Sequence, residues 1–89
     1  MPDITFTAHV FKEDDMYVAY VRELDVSSCG RTAEEARKNI QDAVRGFLKE
    51  AEQMGTLFEI LQEGGYRKDG ETWQAPEFIS LDRLTLTFQ

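Results

Sequence analysis

Residues 16–55, MYVAYVRELDVSSCGRTAEEARKNIQDAVRGFLKEAEQMG, decide the fold. An apolar strand leads through a short polar run to Gly30, and Thr32 then opens a long amphipathic helix. Thr32 and Glu35 have capping-box spacing. The threonine hydroxyl is placed to accept from the Glu35 N–H, and the Glu35 carboxylate to reach back to the N–H of Thr32. The helix is expected over residues 33–53, with Ala36, Ile40, Ala43, Val44, Phe47, Ala51 and Met54 on one apolar stripe. Glu34 and Lys38 form an i,i+4 pair on the polar side. Gly46 costs roughly 1 kcal/mol against alanine inside a helix, so it marks close packing or is simply tolerated. Gly55 is placed to end the helix.

On the N-terminal side, Ile4, Phe6, Ala8 and Val10 alternate with Thr5, Thr7 and His9, the period of a half-buried strand. Lys12-Glu13-Asp14-Asp15 reads as a turn, and residues 17–22 as a second strand with Tyr17, Ala19 and Val21 on one face. The two predict an antiparallel hairpin, with a short third strand over residues 26–29.

On the C-terminal side, Thr56 and Glu59 repeat the capping spacing, so residues 56–63 predict a short second helix ending at Gly64-Gly65. Asp69-Gly70 is a turn signal flanked by Tyr66 and Trp73, marking a small hairpin or an ordered loop. Leu84, Leu86 and Phe88 alternate with Thr85 and Thr87, which predicts a closing strand. Strands followed by helices point to one α+β domain of 89 residues: an antiparallel three-stranded meander with the long helix packed on one face.

The pattern GRTAEEARKNI, preceded by a strand, resembles the HicB family, the antitoxin halves of small bacterial toxin–antitoxin pairs. Gly30, Thr32, Glu34, Glu35 and Ala36 match that family's strand-to-helix signature; its Pro-Gly turn is replaced by Leu24, Asp25 and Val26. The resemblance implies a partial RNase H-like βββα(α)β unit whose closing strand pairs beside strand one. It also implies a protein-binding role, the neutralisation of a small basic HicA-type toxin that cleaves RNA. Full-length members usually append a DNA-binding domain. Here the helix, turn and strand after residue 55 leave no such segment, so operon repression is not expected.

Composition bears on the same question. The net charge of −7 opposes autonomous nucleic-acid binding and suits a basic protein partner. Cys29 is the sole cysteine, and the N-terminal MPDITF has neither a basic region nor a long apolar run, so a cytoplasmic location is expected and no membrane contact. No cofactor or metal motif is present in the sequence. A two-metal nuclease needs a carboxylate in mid-strand one, and residues 4–11 contain none. Cys29 and His9 do not form a nucleophilic pair, because strand two is expected between their strands, about 10 Å across.

Two aromatics stand apart from the core pattern: Tyr20, on the face opposite Tyr17, and Trp73, beside a turn. They either anchor an interface or cover the rear of a thin sheet. Acidic residues Glu13, Asp14, Asp15, Glu23 and Asp25 fall on the hairpin tip and in the loop after strand two. Asp14, Asp15, Tyr20, Glu23 and Asp25 are the candidate partner-binding residues; the competing reading is a solvated acidic edge that protects the sheet from aggregation. Three functions are in play. The first is an antitoxin-like binding module, the second an orphan oligomeric structural or regulatory module, and the third a reduced RNase H-like nuclease. A homo-oligomer, most simply a dimer, is expected, because one helix covers only one sheet face and leaves Val18 and Tyr20 bare.

Overall fold

The long helix, α1 (Ala33–Met54), is set at both ends by its capping residues in the computed structural model, which describes residues 3–88. Thr32 is extended (φ −133°, ψ 160°), and its Oγ1 accepts from the Glu35 N–H at 3.0 Å. The return bond differs from the expected one: Glu35 Oε1 accepts from the N–H of Arg31 at 3.3 Å, one residue before the cap. At the other end Gly55 adopts φ 77°, the Thr56 N–H donates to the Ala51 carbonyl at 2.9 Å, and the Gly55 N–H donates to Glu52 at 3.2 Å. These paired bonds make a Schellman closure, which needs a left-handed residue and so favours glycine.

Three strands precede α1: β1 (Ala8–Glu13), β2 (Met16–Val21) and β3 (Val26–Gly30), antiparallel in the order β1-β2-β3. Ala8 faces Val21 and Glu13 faces Met16 across the first pair; Val18 faces Cys29 and Tyr20 faces Ser27 across the second. The ladder starts at Ala8 rather than near Ile4, because β2 ends at Val21 and the chain turns over residues 22–25. Residues 4–7 therefore have no strand opposite them. Ile4 and Phe6 still pack on the core, and the Thr7 N–H donates to the Glu23 carboxylate at 2.8 Å.

α1 lies on one face of this sheet. Its buried residues are Ala36, Ile40, Val44, Leu48 and Ala51, the first four in one core cluster with Ala19 and Val21 of β2. Leu48 belongs to the stripe although the sequence reading omitted it, and Met54, expected there, is 68% exposed because the helix has passed the sheet's end. Gly46 has no atom within 4 Å of an added Cβ, so it is tolerated on an open face and serves no close packing. The expected Glu34–Lys38 pair gives way to Asp42, which bonds both Lys38 (3.4 Å) and Arg45 (3.1 Å) on the solvated side.

A second helix, α2 (Leu57–Glu63), follows at once. Thr56 does not cap it by side chain; its hydroxyl donates back to the Ala51 carbonyl at 3.4 Å, because the residue already closes α1. Gly64 ends α2 against the β2–β3 turn, where a Cβ would overlap the Glu23 carbonyl oxygen. The region around Asp69-Gly70 is a hairpin of β4 (Arg67–Asp69) and β5 (Thr72–Gln74). Tyr66 and Trp73 enter the same core cluster as Leu24, Ile40 and Leu61, so sheet, helices and hairpin share one interior. Trp73 packs against Phe58 with ring centroids 5.3 Å apart; it does not cover the sheet's rear.

The closing strand expected over residues 84–88 is absent from this fold. Residues 75–88 carry no regular structure, and Leu84, Leu86 and Phe88 are 89%, 87% and 89% exposed. Alternation and β propensity supply the faces of a strand, but a strand also needs a neighbour to take its backbone hydrogen bonds. The radius of gyration is 15.2 Å, against about 12 Å for a close-packed chain of this length.

Candidate partner-binding face

The sheet has a second, uncovered face. Alternation along β2 buries Ala19 and Val21 beneath α1 and turns Val18 and Tyr20 to the rear. The register completes two cross-strand rows there: His9–Tyr20–Ser27 and Phe11–Val18–Cys29. Phe11 is 46% exposed and Met16, at the end of β2, 38%. Neither helix lies on these rows. Among the described residues the C-terminal segment gives partial cover, where the Phe78 ring meets His9 edge-on at 6.1 Å.

The candidate acidic residues flank this face at its two ends. Asp14 and Asp15 form the exposed β1–β2 turn, and Asp14 takes φ 53°, a left-handed conformation that aspartate accepts more readily than most residues. Glu23 and Asp25 sit in the β2–β3 turn, Asp25 with φ 54°. The length of β2, roughly 20 Å, separates the two groups. They do not converge into one anionic pocket; they edge an apolar strip from opposite ends.

Tyr20 is joined to the second group. Its hydroxyl donates to Asp25 Oδ1 at 3.0 Å. That bond holds the phenol above its ordinary pKa, because ionising it would lose the donor and set a phenolate beside a carboxylate. Glu23 differs from the exposed loop residue expected from sequence. It is half-buried, and its carboxylate tethers the unpaired segment before β1 through the Thr7 N–H. Nothing in the local sequence announces that bond, which links residues 16 positions apart.

His9 and Cys29 lie in different rows, with β2 between their strands. Cys29 is exposed, and its carbonyl accepts from Asn39 Nδ2 at 2.8 Å, so α1 already occupies part of the outer edge of β3. Among the described residues no three His, Cys, Asp or Glu side chains converge as a metal site would require, and no helix is long and apolar enough to cross a membrane. Searches against protein-family models, curated proteins and solved structures returned no match to this chain.

Proposed function

We propose that this chain is a HicB-like protein-binding module that engages a small basic protein of the HicA type and covers its RNA-cleaving site. The observation that carries the reading is the uncovered sheet face, an apolar strip of Phe11, Met16, Val18 and Tyr20 with acidic turns at both ends. Aromatic and apolar centres with polar rims are common in protein interfaces, and acidic rims select a basic partner and speed its approach. The net charge of −7 acts in the same direction. The GRTAEEARKNI signature, which forms β3's end, the cap and the first turns of α1, adds the family resemblance. In this reading the fold is a partial RNase H-like unit adapted to binding, the protein works in the cytoplasm, and it acts through contact rather than chemistry.

The test is co-expression with the neighbouring small basic reading frame. Restored growth together with a purified complex supports the proposal. Unrelieved toxicity without a complex, or a genome with no such frame, transfers the rear face to the second reading: an orphan module in which another copy of the chain covers Phe11, Val18 and Tyr20.

A further inference from the structure

Among the described residues the outer edge of β1 is unpaired, and a groove beside it is unfilled. The sheet order leaves the outer edge of β1 without a partner, whereas the edge of β3 is partly closed by Asn39. Edges of this kind recruit further strands unless they are blocked. Beside the β1 edge, on the side of α1, runs a trench in two parts, its apolar lining mixed with Asp3 and with Arg37, Gln41, Arg45 and Lys49 of α1. One part, of about 290 Å³, has Ile4, Phe6, Val44 and Leu48 in its lining; the other, of about 260 Å³, has Phe6, Ala8 and Ile40. Among the described residues no strand lies on the outer side of β1 to close it.

The same chain carries a segment with the complementary needs. Residues 84–88 alternate Leu, Thr, Leu, Thr, Phe, so one face is wholly apolar, and all five are exposed. An added strand on the β1 edge would turn Leu84, Leu86 and Phe88 toward the trench and its two threonines toward solvent. The arm's own chain does not place it there. Phe78 holds the preceding strap against His9 at the rear of the sheet, whereas the trench opens on the α1 side.

We propose that residues 84–88 of one copy add as a strand to the β1 edge of a second copy and place Leu84, Leu86 and Phe88 in its trench. A twofold axis then lets each chain give one arm and receive one, so both unfilled features close twice in a single dimer. The contact lies apart from the rear face and leaves that face open to a different protein.

Light scattering at tens of micromolar tests the assembly. The full chain is expected at twice its 10.3 kDa, and Leu84→Asp/Leu86→Asp at the single mass. The altered residues lie outside the core, so circular dichroism of the variant should retain the native helical signal. A second measurement identifies the contact. In a Cys29→Ser background, a chain with Ala8→Cys is mixed with a chain with Leu86→Cys, and a short dimaleimide is expected to join the two. A monomeric full chain overturns any self-assembly. A dimer that survives the Asp substitutions and gives no cross-link overturns arm exchange while leaving rear-face pairing standing. As a third sample, a chain carrying both Ala8→Cys and Leu86→Cys that cross-links within the monomer, while the mixed chains give no link, shows the arm closing on its own sheet and also overturns the exchange.

Discussion

The Tyr66 hydroxyl donates to the carbonyl of Thr5 at 2.6 Å and ties the hairpin that follows α2 to the unpaired chain before β1. The two residues are 61 positions apart. With the Thr7–Glu23 bond, this clasp fixes the segment that lines the trench beside the β1 edge.

Replacing Tyr66 by Phe should lower stability by about 1 kcal/mol, the usual net worth of such a bond. Burial, with a smaller push from the Glu23 charge, raises the Tyr66 pKa from 10.0 to about 12. The folded state therefore holds this proton more tightly than the unfolded chain does. The resulting stability is fully present below pH 10 and is lost as pH rises toward about 12. Denaturation midpoints measured from neutral to strongly alkaline pH should fall less steeply in Tyr66→Phe than in the parent. Identical slopes would show that the hydroxyl is not buried as described.

Glu23 and the tip aspartates should separate cleanly. Glu23→Ala removes the charged acceptor of the Thr7 N–H and should cost about 1.5–3 kcal/mol. Asp14→Asn/Asp15→Asn should stay within about 0.5 kcal/mol of the parent, since both residues are exposed and asparagine tolerates the left-handed turn. Urea titrations decide this; equal costs would contradict the assigned roles.

Two glycines of α1 and α2 predict opposite signs. Gly46→Ala should stabilise by about 1 kcal/mol, because the new methyl meets nothing within 4 Å and the helix loses a flexible residue. Gly64→Ala forces a methyl into the Glu23 carbonyl and should destabilise by roughly 1–3 kcal/mol. Thermal melts of the two variants should move in opposite directions.

If the acidic turns steer a basic partner, Asp14→Asn/Asp15→Asn should slow association roughly 2–10-fold at low salt. The difference should shrink as salt screens the exposed charges. Stopped-flow association rates at several ionic strengths provide the check, and a rate independent of both charge and salt would remove these residues from the interface.

Periodicity and capping chemistry made the meander and α1 readable, because both signals act over three to five residues. Thr32, Glu35 and Gly55 each occupy the expected helix end, and the Asp69-Gly70 signal resolves as a hairpin. What stayed hidden depends on partners far along the chain. Trp73 enters the core and packs beside Phe58, and Glu23 is bound by Thr7. Residues 84–88 show the limit most clearly: their pattern specifies two faces and says nothing about which edge receives them. Of the candidate partner-binding residues, Tyr20 was legible as rear-facing from the β2 alternation. Its bond to Asp25 was not, since it depends on the turn geometry after Val21.

If the genome carries a small basic reading frame beside this one, the binding claim is tested most directly by an RNA-cleavage assay on its purified product, titrated with this chain. The account predicts that cleavage falls in proportion to added protein and stops at a fixed stoichiometry, with Tyr20→Ala/Phe11→Asp shifting the curve to much higher concentration. Cleavage that continues unchanged in the presence of excess parent protein would contradict it.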